Sequence, residues 1–122
     1  GSSLFLEVVD RPALVHALLG LVTDTYIRFM KEWDRIVPPP RGHAIHWGSM
    51  HAGRIMLRDD SAMNFSPGMY DEFIRPYDAR LLKTLGGGAV HFCGRGDHYI
   101  ASCCTMEGMH GIAMSQPAYN DM

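Results

Sequence analysis

The stretch Ala89-Val90-His91-Phe92-Cys93-Gly94 places an imidazole and a thiol two positions apart. On a strand, positions i and i+2 project from the same face, so both side chains leave together. They do so at the end of the segment, against a glycine turn, and in parallel α/β folds that end is where sites are built. An imidazole nitrogen and a thiolate sulfur are both zinc ligands, and a catalytic zinc needs a third protein ligand plus an open position. The same spacing also suits a small buried thiol beside a hydrogen-bonded core histidine.

Other reactive side chains cluster nearby in sequence. Arg95, Asp97 and His98 follow at once. The Gly94-Arg95-Gly96 turn could expose backbone N–H groups to an anion, and Asp97 could cap a following helix. Asp59 and Asp60 close an earlier apolar segment. Adjacent residues on a strand point in opposite directions, so only one faces the same side as a site, and the two are not a shared-proton dyad. Asp60 is the candidate general acid or cation-orienting group, with a solvated acidic turn as the alternative. Ser115 and Gln116 are candidates for polar substrate contacts, while His43, His46 and His51 are spaced too loosely for a zinc motif. The adjacent pair Cys103-Cys104 reads as packing on a helix.

The elements that position these groups follow from periodicity and punctuation. Pro12 to Val37 reads as one long helix with Asp10 as N-cap, ended by Pro38-Pro39-Pro40. Arg41 to Gly53 reads as irregular. Arg54 to Arg58 is a short buried strand. Ser66-Pro67 opens a second helix whose apolar residues Met69, Tyr70, Phe73, Ile74, Tyr77, Leu81 and Leu82 keep helical spacing until Gly86-Gly87-Gly88. Ala89 to Cys93 is a second strand, Asp97 to about Cys104 a third helix, and Ile112 to Ser115 a third strand. Helices alternating with strands argue for βα units and a parallel sheet.

Composition narrows the function classes. With 11 Lys+Arg against 13 Asp+Glu in 122 residues, the chain is no basic nucleic-acid binder. The apolar run Pro12 to Val22 falls short of the ~20 residues that span a membrane, so no membrane role is expected. Three cysteines, two of them adjacent, make a poor disulfide framework and point to a reducing, cytoplasmic setting. Gly1-Ser2-Ser3 resembles the remnant of an expression tag. Leu4 to Val9 lacks a charged leader and is not read as a signal peptide.

With the elements placed, the sequence resembles the uroporphyrinogen decarboxylase superfamily. The resemblance rests on Arg58-Asp59-Asp60-Ser61-Ala62, on Phe65-Ser66-Pro67-Gly68-Met69-Tyr70-Asp71-Glu72-Phe73-Ile74-Arg75-Pro76-Tyr77, on His91-Phe92-Cys93-Gly94 and on Gly111-Ile112-Ala113-Met114-Ser115. It covers residues 41–122, with residues 1–40 compatible. It implies an α/β fold, a partial (β/α)8 barrel of about three parallel βα units preceded by a helix, in a single domain. A whole barrel of this type takes roughly 250 residues.

The resemblance also implies two chemistries. One is decarboxylation of a porphyrinogen, which in that branch uses an N-terminal arginine motif that this chain lacks. The other is methyl transfer between a corrinoid protein and a thiol, in which zinc sits on a His-x-Cys pair matching His91 and Cys93. The third ligand of that branch is a cysteine further along the barrel, and neither Cys103 nor Cys104 matches it. The resemblance thus implies zinc ligands at His91 and Cys93, catalytic roles for Asp60, Asp97 and His98, and substrate contacts from Asp60, Arg95 and Ser115. No nucleotide cofactor is implied. An open three-stranded sheet exposes its edges, so a homo-oligomer or a complementing half-barrel is the expected partner, and a non-catalytic self-associating chain is the alternative function.

Overall fold

A computed structural model describes residues 3–38 and 41–121. The chain is mixed α/β, with helices α1 (Ser3–Asp10) and α2 (Pro12–Ile36), strands β1 (His43–His46), β2 (Ser49–Ala52) and β3 (Ile55–Arg58), helices α3 (Pro67–Phe73) and α4 (Arg75–Leu85), strand β4 (Gly88–Phe92), helix α5 (Asp97–Cys104) and strand β5 (Met109–Met114). Short 3-10 turns lie at Ala62–Asn64 and Pro117–Tyr119. Of the tripeptide Pro38-Pro39-Pro40 and the tag-like start, residues 39–40 and 1–2 lie outside the described residues, as does Met122.

Strands β3, β4 and β5 form a parallel sheet in that order, as the alternation of elements predicts. Register fixes its two faces. Leu57 pairs with Val90 and Val90 with Ile112, whereas Arg58 pairs with His91 and His91 with Ala113. The first row belongs to the core: Ile55, Leu57, Val90 and Phe92 pack with Tyr70, Leu81, Leu82, Leu85, Tyr99 and Cys103 from α3, α4 and α5. The second row carries Met56, Ala89, Gly111 and Ala113 on the opposite face. There β1 and β2 stand over the sheet as an antiparallel hairpin. A smaller cluster of Val8, Val15, Phe65 and Phe73 joins α1, α2 and α3.

Several local expectations are corrected. Asp10 does not cap α2. It ends α1, and Arg11 occupies the cap position with no side-chain cap bond. The reason is local: Arg11 pairs with Glu7 one turn back, and its N–H reaches the Glu7 carbonyl at 2.8 Å, which extends α1 to the junction. Arg41 to Gly53 is not irregular, because the residues that pair as β1 and β2 are separated by Trp47-Gly48, both at positive φ (50° and 80°). Two consecutive positive φ angles are what a tight hairpin turn needs.

The second helix breaks at Ile74 (φ −113°, ψ −60°) into α3 and α4. Pro76, in the first turn of α4, has no N–H to continue the helical ladder across the break. Its two ends behave as read: Ser66 accepts the Met69 N–H at 3.3 Å, and Gly86 closes α4 at φ 86°. Strand β5 starts earlier than expected, at Met109.

Helix α2 runs to Ile36, well past Val22, and is by length and composition apolar enough to cross a membrane, although part of it is buried within this fold. The run Pro12 to Val22 therefore understated its apolar length. Val15, Thr23 and Ile27 face inward, while Leu14, Leu18, Leu21, Val22 and Phe29 stay exposed.

Candidate metal centre

Strand parity carries His91 away from the core that holds Val90 and Phe92. Cys93, two residues on, leaves the sheet on the same side. The third member comes from the neighbouring strand. The Asp59 N–H bonds the His91 carbonyl at 2.8 Å, continuing the β3–β4 ladder one step past Arg58. That step turns Asp60 toward β4, where its Oδ1 accepts the Cys93 N–H at 3.1 Å.

The result is one imidazole nitrogen, one thiol sulfur and one carboxylate oxygen, all within 4.8 Å of one another. His91 Nε2 lies 3.6 Å from Asp60 Oδ1 and 3.6 Å from Cys93 Sγ. Zinc binds oxygen, nitrogen and sulfur at about 2.0–2.3 Å, which in a tetrahedron sets donors about 3.3–3.8 Å apart. The spacing fits. The sequence offers no third ligand at the family's cysteine position; here Asp60, a candidate for catalysis in the sequence, stands as a candidate third donor.

The donor geometry separates metal binding from a nucleophilic relay. In a Cys–His–acid relay the acid addresses one ring nitrogen and the thiol the other. Here Asp60 and Cys93 both approach Nε2, so the three groups point at a common centre.

Surrounding groups hold the donors in place. Ser115, just past β5, donates its hydroxyl to Cys93 Sγ at 3.1 Å. Trp47, at the hairpin tip, sets its ring edge against His91 with centroids 5.0 Å apart and planes at 84°. The Arg58 guanidinium lies over the Trp47 ring, 3.3 Å from its centroid. Beneath the hairpin a cleft of about 620 Å³ is lined by His43, His51, His110, Met50, Met56 and Ala113. His46 and His51 contact each other at 2.8 Å through ring nitrogens. Burial, then His51 and Arg58, holds His46 below the usual imidazole range.

The remaining sequence candidates divide. Asp97 caps nothing: its Oδ2 accepts from Arg95 Nε at 3.0 Å and its Oδ1 from the Asp121 N–H at 3.1 Å. The Gly94-Arg95-Gly96 turn offers no free anion cradle either. Gly94 N–H is taken by Gln116 Oε1 at 2.7 Å and Gly96 N–H by Asn120 Oδ1 at 2.6 Å. The segment after β5 folds back over the turn and consumes those donors, which also places Gln116 in a structural contact. His98 points away from the triad, with Nε2 2.9 Å from the Phe65 carbonyl and its ring edge-on to Tyr99. Cys103 is buried, its thiol pushed up to about 12 chiefly by burial, while Cys104 is exposed.

Sequence reading missed Trp47, the His46–His51 contact and Asp78. On the core side Asp59 meets Asp78 of α4, both more than nine-tenths buried. Burial pushes Asp59 up to about 6, partly offset by its hydrogen bond with Asp78, and burial together with the neighbouring Asp59 pushes Asp78 well above the carboxylate range. A polar residue at an otherwise inward position of α4 was the available signal for Asp78. Tyr70 and Tyr99 stack at 4.5 Å beside this pair.

Comparison with protein-family models, curated proteins and solved structures found no match to this chain.

Proposed function

We propose that the chain is a zinc-binding, thiol-activating unit of the corrinoid/thiol methyltransferase type, with Asp60, His91 and Cys93 as the protein ligands. The observation that carries this reading is the convergence of three unlike donors on one point at the C-terminal ends of adjacent parallel strands. When bound, the metal supplies Lewis acidity that lowers the pKa of an entering thiol. The protein's own contribution is positional. Ser115 donates to the Cys93 sulfur, Trp47 packs on the His91 ring, and the Cys93 N–H fixes the Asp60 carboxylate. The barrel architecture and a corrinoid partner belong to the same proposal and are supported by the sequence motifs at Ser66 to Tyr77 and at His91 to Gly94.

The test is zinc stoichiometry by elemental analysis after dialysis under reducing conditions, with His91→Ala and Cys93→Ser as controls. One zinc per wild-type chain, lost in both variants, supports the reading. A wild-type chain free of zinc at neutral pH sinks it.

A second reading, self-association, is favoured by a specific feature: β3 and β5 are both sheet edges, and Leu14, Leu18, Leu21 and Phe29 form an exposed apolar row on α2. Light scattering behind size exclusion decides it, and a monodisperse monomer at tens of micromolar counts against it.

A further inference from the structure

His46 and His51 stand on the two facing strands of the hairpin. The register sets His46 opposite Ser49 and His51 opposite Ala44. His51 lies two positions beyond Ser49, so it shares a hairpin face with His46 and the two form a cross-strand diagonal pair. Both residues are half-buried. His46 Nδ1 is 2.8 Å from His51 Nε2, with ring centroids 5.0 Å apart and planes within 20°. The rings therefore meet edge to edge.

The neighbours of the pair fix its protons. His51 Nδ1 is 2.9 Å from the Ala52 carbonyl, which can only accept, so that nitrogen carries the hydrogen. In the neutral ring Nε2 is then a bare lone pair aimed at His46. A carbonyl that holds one ring nitrogen and frees the other is the usual outer support of a metal-bound imidazole. His46 Nδ1 supplies the hydrogen between the rings. Moving it to His46 Nε2 changes the tautomer and not the charge, and leaves two lone pairs facing one space. Burial, then His51 and Arg58, already disfavours a second proton on His46.

Spacing separates this pair from the three donors around His91. Cis donors on a metal with bonds of about 2.0 Å lie about 2.8 Å apart, the edge of a square or an octahedron, whereas a tetrahedron needs about 3.3 Å. No third histidine, cysteine or carboxylate joins the pair among the described residues, so water fills the other positions of any ion held there.

We propose that His46 and His51 form a second metal site, a two-imidazole chelate for Ni²⁺ or Cu²⁺. The inference is independent of the zinc-centre reading above. A small swing of both rings turns their lone pairs onto one ion, which takes the place of the bridging hydrogen.

The experiment uses the full chain carrying Asp60→Asn and Cys93→Ser, which disables the zinc centre and leaves His91 packed on Trp47. Ni²⁺ is the probe, because it does not oxidise the remaining thiols. Competition with a chromophoric chelator should return one Ni²⁺ per chain. His46→Ala and His51→Ala should each weaken binding by at least about tenfold, and His43→Ala should leave it unchanged. Zn²⁺ should bind at least about threefold more weakly than Ni²⁺, because the pair is spaced for a square edge. A second measurement separates a lost ligand from a loosened hairpin. In the same chain with isotope-labelled histidine, substoichiometric Ni²⁺ should broaden the ring signals of His46 and His51 before those of His43 and His110. Failure to bind Ni²⁺, broadening led by another histidine, or Zn²⁺ bound as tightly as Ni²⁺ overturns the proposal.

Discussion

Asp59 and Asp60 are bonded neighbours at the end of one strand, yet they occupy different worlds. Asp59 turns to the core side, where apolar side chains and Asp78 surround it and burial lifts it to about 6. Asp60 turns to the other side, its side chain 52% exposed, 3.6 Å from an imidazole and bonded to a backbone N–H. Strand parity alone decides which is which. The same split runs along β4, where Phe92 is sealed in the core while His91 meets Trp47 of the hairpin and Cys93, just past the strand, lines a cleft. One face of the sheet is packed for stability, and the other is lined with Ala89, Gly111 and Ala113, which leave room for something else.

Substitutions on each face should therefore fail in different ways. The largest effect is expected for Phe92→Ala, which opens a cavity in the core and should cost about 3–5 kcal/mol in urea unfolding. A loss under 1 kcal/mol would show the core side to be loosely packed. Asp60→Asn should weaken zinc binding by at least about 100-fold in competition with a chromophoric chelator, because it removes a charged ligand rather than an outer contact. Its melting temperature in the metal-free form should stay within a degree or two of wild type. If zinc affinity is unchanged, the two aspartates do not differ in the way proposed.

Asp78→Asn probes the buried side. A carboxyl whose folded pKa is raised binds its proton more tightly in the folded state. The stability it confers is therefore present at low pH and is lost as pH rises through the folded value. For Asp59 that loss begins above its ordinary value of 3.8 and runs through about 6, with Asp78 titrating higher still. Replacing Asp78 by a neutral amide should leave the chain on the order of 2 kcal/mol more stable than wild type at pH 8, with little difference at pH 4. A pH-independent difference in thermal melts would contradict the paired burial. The smallest effect is expected for Ser115→Ala: about tenfold weaker zinc binding from loss of the hydrogen bond to Cys93 Sγ, with stability unchanged.

How much of this was legible in the sequence follows from range. His91 and Cys93 were readable as a pair because they share one strand, and parity needs no tertiary knowledge. That Asp59 and Asp60 diverge was readable for the same reason. Asp60 as a third donor was not, since it depends on the register that sets Arg58 beside His91 across two strands. Asp78 is 19 positions from Asp59, a difference of 78 and 59, and its meeting with Asp59 is created by α4 packing on the sheet. The hairpin was hidden by its turn: Asn or Gly is the usual signal at a left-handed turn position, and here Trp47 stands there. The break at Ile74 was hidden because apolar spacing continues unchanged across it.

Trp47 has a further consequence. The chain has two tryptophans. Trp33 stacks on Phe29 along α2, while Trp47 lies edge-on to His91 with Arg58 over its face. The indole that packs edge-on against the His91 imidazole is thus a built-in optical gauge of that ring. In a Trp33→Phe background all tryptophan emission comes from Trp47, and a paramagnetic ion held at His91 would darken it without any attached dye.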